Sequence, residues 1–294
     1  MAGFRKLLVC GVGLIGGSFA LAQKAAGAVE AVVGIGRSRA TLAEAERLGV
    51  IDRSAEDWND ALADVDLVLL AMPVGQMEAV MRELAPRLSP TTLVTDGGST
   101  KRDVVAAAYR AFGDKVGQFV PGHPIAGAER SGVAAAAADL YQGKRVVLTP
   151  LPENSPDAVA RVRAAWEACG AEVSELAPDA HDRTFAAVSH LPHLLAFALV
   201  HELAGRPDSG QLFGFAAGGF RDFTRIASSH PEMWRDICVA NRAPLIEELD
   251  LYLAELLRTR VLLAGADGAA LQAMFAKARA ARDAWLEATE PPGE

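Results

Sequence analysis

Two polar residues in glycine-containing segments carry side chains suited to proton transfer. Ser99 lies in DGGSTK and His123 lies in GHPIAG, and each segment follows an apolar run that predicts a buried strand. A neutral histidine can take a proton from a hydroxyl near neutral pH, and a serine can hydrogen-bond the same oxygen. We expect His123 to lie on a turn and to act as a base. Ser99 could bind that oxygen, cap a helix starting at Thr100 or Lys101, or do both.

A second group of residues is the glycine pattern near the N-terminus. Gly11, Gly13 and Gly16 form GxGxxG between the apolar run KLLVCGV and the helical pattern LIGGSFALAQKA. Such glycines permit a tight turn, let the backbone approach a pyrophosphate, and let the helix pack closely on the strand. The helix N-terminus adds free N–H groups and the positive end of its dipole. This motif, which includes Leu14 and Ile15, therefore predicts a dinucleotide site.

The end of the second predicted strand, VVGIGRSR, indicates which dinucleotide binds. A carboxylate for the ribose hydroxyls is expected ~20 residues beyond the glycines, but Gly36 stands there. Arg37, Ser38 and Arg39 follow, and guanidinium and hydroxyl groups can bind a 2′-phosphate. We therefore expect NADP as the favoured cofactor, with NAD as the alternative. In the competing interpretation both arginines are solvated charges and Ser38 only caps the next helix.

A third group of polar residues occurs where the apolar residues have helical spacing, in HDRTFAAVSHLPHLLA and GGFRDFTRIASSHPEMW. The candidates are Asp182, His190, His193, Arg225 and Trp234. An arginine in an apolar helical pattern is costly to bury alone, so Arg225 needs an anion, either Asp222 or a substrate carboxylate. His190 and His193 are three residues apart, but no third ligand has convincing spacing and no HExxH occurs, so we expect no metal.

The elements that would position these residues change character along the chain. Short apolar strands alternate with amphipathic helices up to about Leu176, which predicts an α/β Rossmann-type domain with a mostly parallel sheet covered on both faces. Strand signals stop after Pro178 and helical spacing continues. We therefore predict a dinucleotide-binding domain at 1–177 and an all-α substrate-binding and dimerisation domain at 178–294. Ligands bind beyond the carboxyl ends of parallel strands, where MPVGQ places Pro73 on the cofactor side.

Composition and charge restrict the partners. The chain has 294 residues, enough for two domains, with 29 Lys and Arg against 37 Asp and Glu and a net charge of −8. It has no dense basic run, so we expect no nucleic-acid partner. The apolar run LLAFALV is far shorter than the ~20 residues of a membrane span, and no signal segment precedes the first strand. We expect a cytoplasmic protein without a membrane partner, whose three cysteines are reduced.

The motifs GVGLIGGS, DGGSTK, GHPIAG, HDRTFAAVSHLPH and GFRDFTRIASSHPEMW, in this order, closely resemble the prephenate/arogenate (cyclohexadienyl) dehydrogenase family of tyrosine biosynthesis. The resemblance covers nearly the whole chain. It implies a helical C-terminal domain that forms a homodimer, and an active site in the cleft between the domains. It also implies NAD(P)-dependent oxidative decarboxylation of prephenate to 4-hydroxyphenylpyruvate, or of arogenate to tyrosine.

The same resemblance implies roles for individual residues. His123 matches the histidine that accepts the proton of the ring 4-hydroxyl, and Ser99 matches a serine near that hydroxyl and the nicotinamide. Arg225 matches an arginine that binds a substrate carboxylate. On the substrate side it also implies that His193 binds the substrate, that Asp182 and His190 are supporting residues, and that Trp234 helps to enclose the substrate side chain. Gly36 departs from the aspartate of many members, which puts strict NAD preference in doubt.

Two other functions are compatible with a Rossmann start followed by helices. Dehydrogenases of the 6-phosphogluconate or 3-hydroxyisobutyrate type usually rely on a lysine in the helical part, but residues 177–250 contain none. A regulator that senses NADP without chemistry would not need His123, Ser99 and Arg225 together. The residues therefore favour an oxidoreductase. They do not separate prephenate from arogenate, which differ only by a side-chain keto or amino group.

Overall fold

The computed structural model describes residues 3–127 and 130–289, and its first element is a parallel six-stranded sheet. The strands are β1 Phe4–Cys10, β2 Val29–Ile35, β3 Arg53–Ser54, β4 Leu67–Leu70, β5 Leu93–Asp96 and β6 Phe119–Val120. Their order in the sheet is β3-β2-β1-β4-β5-β6. The two-residue edge strand β3 was absent from the sequence-based prediction, because it lacks an apolar run.

Helices connect these strands and cover both faces of the sheet. They are α1 Leu14–Ala25, α2 Arg39–Arg47, α3 Trp58–Leu62, α4 Val74–Leu84, α5 Arg102–Phe112 and α6 Pro156–Ala168. Alternate residues of β1 enter separate apolar clusters, with Leu7 and Val9 beside Phe19 on one face and Leu8 beside Met77 on the other. Since both faces are buried, the strands are apolar throughout. The predicted Rossmann-type α/β fold is confirmed.

A second, three-stranded sheet carries one of the candidate catalytic residues. Its strands are β7 Gly122–Pro124, β8 Arg145–Leu148 and β9 Glu172–Glu175, and β7 runs antiparallel to β8. His123 is the middle residue of β7 and pairs with Val147. The prediction that His123 lies on a turn is therefore wrong. Gly122 and Pro124 are typical of a turn, but here the edge of β8 holds the segment extended.

The described chain beyond β9 is helical. Its helices are α7 Pro178–Phe185, α8 Leu191–Ala204, α9 Ser209–Gly214, α10 Gly218–Thr224, α11 Pro231–Ala240, α12 Arg242–Ala264 and α13 Gly268–Thr289, and a single π turn, Ala186–His190, joins the first two. The all-α prediction for this part is confirmed. The chain divides into two compact units, Met1–Leu245 and Ile246–Glu294. The domain boundary at 177/178 stays a prediction.

The segment Pro178–Ala204 has the length and composition of a membrane span. Its 27 residues have a mean hydropathy of 1.3 over the most apolar window, 28% of which is buried. Core helices of soluble proteins meet the same two criteria. Within the first unit the segment buries the polar side chains of His181, Asp182 and His190, which favours a core helix.

Candidate active site

The glycine turn lies where the strand order of the large sheet reverses. β1 has β2 on one side and β4 on the other. The N–H of Gly11 donates to the Ile35 carbonyl at 3.0 Å, and the N–H of Ala71 donates to the Cys10 carbonyl at 2.8 Å. Such a reversal opens a crevice beyond the carboxyl ends of the strands, which is where open α/β sheets bind ligands.

Each glycine of the motif has the geometry that a dinucleotide site requires. Gly11 has φ +93°, and a Cβ there would lie 2.7 Å from the Ala71 carbonyl oxygen. A Cβ on Gly16 would lie 2.4 Å from the Gly11 carbonyl oxygen, so only glycine lets α1 pack this closely on β1. A Cβ on Gly13 would meet nothing within 4 Å. The open space at the start of α1 therefore fits a pyrophosphate.

The adenosine end of this crevice has no carboxylate at the end of β2. Gly36, Arg37, Ser38 and Arg39 are all exposed. The Ser38 hydroxyl caps α2 by accepting the Thr41 N–H at 3.2 Å, as the competing interpretation predicted. Capping uses a lone pair of the hydroxyl and leaves both guanidinium groups in solvent, so the geometry is compatible with either a helix cap alone or a phosphate site.

Three loops meet at the other end of the crevice. A Cβ on Gly97, in the DGGSTK segment, would lie 3.0 Å from Ile15 Cγ2 and 3.7 Å from Pro124, so this segment touches both the glycine motif and β7. Pro73 is the residue before α4, in the loop after β4. The structure thus brings the glycine motif, through Ile15, next to the segment that contacts the strand carrying His123.

A buried ion pair joins the DGGSTK segment to β7. Lys101 and Asp96 are both fully buried, and Lys101 Nζ bonds Asp96 Oδ2 and also donates to the Gly122 carbonyl at 2.6 Å. The other carboxylate oxygen of Asp96 accepts the Gly122 N–H at 2.9 Å, while Oδ2 also accepts the Gly98 N–H at 2.8 Å. Both backbone groups of Gly122 are therefore held, which positions the following residue, His123.

The N-terminus of α5 is capped from a distant part of the chain. The carboxylate of Asp182, on α7, accepts the N–H groups of Lys101 at 2.8 Å and Arg102 at 2.9 Å. Of the two roles left open for Ser99, the helix cap is not the one observed, because the helix begins at Arg102 and Lys101 occupies the N-cap position. A carboxylate is the stronger partner for the positive end of the helix dipole. Ser99 is half-buried in the same segment, where it stays a candidate for binding the substrate.

Asp182 also begins a chain of hydrogen bonds that ends at His123. His181 Nδ1 donates to Asp182 Oδ1 at 2.8 Å, and His181 Nε2 lies 2.8 Å from His123 Nδ1. All three side chains are buried. Sequence reasoning selected Asp182 and His123 but missed the residue between them. The adjacent pair His181 and Asp182 in the motif HDRTF was the available signal.

The electrostatic surroundings keep these histidines neutral. Burial lowers the pKa of His123 well below its ordinary value, and the neighbouring His181, Lys101 and His190 lower it further, because a second positive charge beside any of them would be repelled. Burial also lowers the pKa of His181, against the effect of its bond to Asp182. Burial alone would raise the pKa of Asp182, but the bonds from His181, Arg102 and Lys101 outweigh it and hold that pKa below its usual value. A neutral imidazole beside a carboxylate is the expected state, and it can accept a proton.

His190 is held by an asparagine from the end of α11. Asn241 Nδ2 lies 2.9 Å from His190 Nδ1 and donates at 2.8 Å to the backbone carbonyl of Asp182. Burial lowers the pKa of His190 to about 4, although the charge of Asp182 opposes this. Asn241 therefore links the His190 ring to the backbone of Asp182, and the supporting role of His190 stays a prediction. Asn241 was missed because no motif marked it.

His193 and Trp234 form a flat stack one turn further on. Their ring centroids are 3.7 Å apart with an interplanar angle of 18°. His193 Nδ1 donates to the Ser189 carbonyl at 2.9 Å, so the other ring nitrogen can accept a hydrogen bond. Burial lowers the pKa of His193, against the effect of its bond to the Ser189 carbonyl, and the charge of Arg225 lowers it further. Arg225 itself is exposed in the turn Arg225–Ser228, so the expected burial of its side chain is wrong.

The arrangement combines a dinucleotide crevice, a neutral buried histidine and a half-buried aromatic stack beside an arginine. Within residues 3–127 and 130–289, no group of three or more His, Cys, Asp or Glu side chains is arranged to hold a metal ion. These groups suit hydride transfer coupled to removal of a proton from a small substrate with a carboxylate.

Models of two protein-family domains match the chain. Residues 19–175 match the model described as prephenate dehydrogenase, nucleotide-binding domain, and residues 177–277 match prephenate dehydrogenase, dimerization domain. The chain belongs to the prephenate dehydrogenase family. Membership confirms the resemblance inferred from the motifs and makes the chain an oxidoreductase; it does not favour the two rival functions.

Individual members of the prephenate dehydrogenase family match over nearly the whole chain. The prephenate dehydrogenase of Bacillus subtilis is 37% identical over 94% of this chain and 75% of its own length. The cyclohexadienyl dehydrogenase of Zymomonas mobilis is 34% identical over 96% of both chains. The crystal structure of Aquifex aeolicus prephenate dehydrogenase with hydroxyphenyl propionate and NAD+ has 35% identity and a TM-score of 0.88, covering 95% of this chain and 97% of that one.

Proposed function

We propose that this protein catalyses the NAD(P)-dependent oxidative decarboxylation of prephenate, of arogenate, or of both, in tyrosine biosynthesis. The observation that carries the proposal is the buried His123, hydrogen-bonded to His181, where the glycine motif and the DGGSTK segment meet. A cofactor-binding regulator would have no use for such a base, and family membership supports the dehydrogenase.

The substrate's own chemistry explains why so little machinery is needed. Loss of hydride from C4 of the cyclohexadienol leaves a carbonyl that still carries the hydroxyl proton, and such a protonated carbonyl is a strong acid. The C1 carboxylate leaves as CO₂, its bonding electrons enter the ring, and aromatisation drives the reaction. A bound nicotinamide supplies the hydride acceptor. A base whose pKa has been lowered by burial can therefore still take the proton.

Five side chains are assigned to the substrate in this proposal. His123 accepts the 4-hydroxyl proton, and Ser99 hydrogen-bonds the same oxygen. Arg225 binds a carboxylate through charge-assisted hydrogen bonds. The stacked pair of His193 and Trp234 contacts the side chain of the substrate, with His193 Nε2 as an acceptor. Asp182 and His190 act behind these residues, without touching the substrate.

NADP is the cofactor that the adenosine end favours. Gly36 leaves the ribose hydroxyls without a carboxylate acceptor, and Arg37 and Arg39 are exposed beside it. A 2′-phosphate would meet two guanidinium groups and no negative charge at this point. The arrangement also admits NAD, which lacks only the phosphate.

The catalytic unit in this proposal is a cytoplasmic homodimer. The second compact unit exposes large apolar side chains along α12 and α13, including Leu251, Leu257, Val261, Leu263 and Phe275. Surfaces of this kind mark protein contacts, and the matched dimerization-domain model covers them up to residue 277. Sedimentation at micromolar concentration should give a dimer, and a stable monomer would contradict this assignment.

One assay tests the proposed activity. Purified protein is mixed with prephenate or arogenate and with NAD or NADP, and formation of the reduced cofactor is measured in all four combinations. We expect turnover with at least one substrate and at least equal kcat/KM for NADP. The absence of reduced cofactor in all four mixtures would refute the activity, and strong preference for NAD would refute the phosphate site.

A further inference from the structure

The imidazole of His181 has a fully buried position between an anion and the proposed base. It is 0% exposed, and its two ring nitrogens contact Asp182 Oδ1 and His123 Nδ1, each at 2.8 Å. Burying a polar ring costs free energy unless both nitrogens are hydrogen-bonded. Both are, so the site is built around this ring.

Hydrogen-bonding rules determine where the protons lie along this chain. The Asp182 carboxylate is ionised and can only accept, so His181 Nδ1 must carry a proton. A neutral His181 then presents a lone pair at Nε2. His123 Nδ1 can make the 2.8 Å contact with that lone pair only by donating a proton. Neutral His123 must therefore leave its own Nε2 unprotonated and able to accept.

The ring planes are fixed as well as the protons. Phe185 packs edge-on against His123 with ring centroids 4.9 Å apart, and in a tilted arrangement against His181 with centroids 4.5 Å apart. The carboxylate end is anchored by the two N–H groups at the start of α5. Rotation of either imidazole would break one of these contacts.

We propose that His181 is a positioning residue that holds His123 in the tautomer with an unprotonated Nε2 and connects the imidazolium formed during turnover to the Asp182 carboxylate. The effect on turnover rests on the proposed function, whereas the tautomer does not. His181 touches no reacting atom in this proposal. It acts by removing the alternative tautomer, in which His123 Nε2 already carries a proton and cannot accept another.

Two substitutions separate this role from simple packing. His181→Leu fills the buried position with an apolar side chain of similar size but removes the acceptor for His123, and should lower kcat ~10²-fold with little change in KM. His181→Gln places an amide oxygen where Nε2 lies, and should keep kcat within about fivefold of wild type by the same reasoning. His201→Leu, at an exposed histidine of α8, is the matched control and should leave both constants unchanged. Equal kcat values for the Leu and Gln variants would refute the proposal.

A spectroscopic measurement on the wild-type protein does not depend on catalytic activity, and it needs a variant only to assign the signals. With ¹⁵N-labelled histidine, two-bond proton–nitrogen correlation distinguishes protonated from unprotonated ring nitrogens, and loss of a signal in His123→Asn assigns one of the six histidines. At neutral to mildly alkaline pH we expect Nδ1–H and bare Nε2 for His123. A protonated Nε2 in the wild type overturns the inference.

The charged and titratable groups around this hydrogen-bonded chain also influence the protonation of His123. The groups that face it are Asp96, Lys101, Asp103, Asp182 and His190. His181→Leu retains them all, so a change in the ¹⁵N pattern of His123 reports the lost acceptor. If wild-type protein shows the expected tautomer but oxidises neither substrate, the proposed function fails while the positioning role of His181 stands.

Discussion

Removal of the buried Lys101 should destabilise the protein far more than removal of Lys24, a partly exposed lysine with similar contacts. Lys101 bonds the Asp96 carboxylate and the Gly122 carbonyl with no exposed surface. Lys101→Met leaves a buried carboxylate that keeps the N–H groups of Gly98 and Gly122 but loses its counter-charge. Breaking such a pair costs about 3–5 kcal/mol. At about 2–4 °C per kcal/mol for a unit of this size, Tm should fall by about 10 °C.

Lys24→Met is the matched control for this experiment. Lys24 Nζ also bonds one carboxylate, that of Asp52 at 2.6 Å, and one backbone carbonyl, that of Gly49 at 3.0 Å, but the pair is partly exposed. Water already solvates these charges, so the loss should be about 0–1 kcal/mol.

Urea denaturation followed by circular dichroism measures both variants at one protein concentration, because association contributes to stability. The double variant Lys101→Met with Asp96→Asn no longer buries an uncompensated charge, and it should recover part of the loss. If Lys101→Met and Lys24→Met lowered the free energy of unfolding equally, burial would not be what makes the first pair important.

Four other results are expected. His123→Asn removes the base and should lower kcat ~10²-fold or more with a modest change in KM; unchanged turnover would exclude His123 as the base. Arg225→Gln should mainly raise KM, as initial-rate kinetics would show, because it removes a charge-assisted contact with the substrate. Gly36→Asp should change the ratio of kcat/KM for NADP to that for NAD in favour of NAD, by the equivalent of about 1–3 kcal/mol. An equal loss of kcat/KM with both cofactors would show that Gly36 does not determine cofactor preference. Burial lowers the pKa of His190 in the folded protein to about 4, below its unfolded value. The contribution of the neutral ring to the free energy of unfolding should therefore be fully present above about pH 6.5 and be lost as the pH falls toward 4. Urea titrations should show a smaller acid loss for His190→Gln.

The Gly36→Asp experiment is interpretable because the backbone permits it. The sequence left open whether glycine is needed there for a positive φ. The structure places its φ outside the left-handed region, and a Cβ would lie 3.9 Å from Leu42 Cδ2, an ordinary contact. A carboxylate can therefore be added without strain, and any change in cofactor preference reports charge.

Local signals predicted the elements whose causes are local. Strand β2 spans the run VEAVVGI, and α2 begins at Arg39 directly after its cap, Ser38, as the pattern predicted. The roles of the three motif glycines also follow from spacing alone, since the turn, the open space and the close packing involve neighbouring residues.

Contacts between distant residues account for what was missed. Lys101 and Asp182 are 81 residues apart, so no local pattern shows that a carboxylate rather than Ser99 serves α5. The π turn Ala186–His190 interrupts a regular 3.6-residue periodicity. His123 forms a strand because β8 pairs with it. In each case the deciding partner comes from elsewhere in the chain.

The carboxylate of Asp182 limits how this protein can recombine with its relatives. A chimera joined at 177/178 would take its nucleotide-binding half, with α5, from one parent. It would take Asp182, whose carboxylate caps α5, from the other parent. The graft would have to supply a carboxylate in register with the N–H groups of Lys101 and Arg102, and a histidine before it in contact with His123. Exchange of the C-terminal half is therefore also exchange of the groups behind the base, and parents that differ at these positions should give folded but slow hybrids.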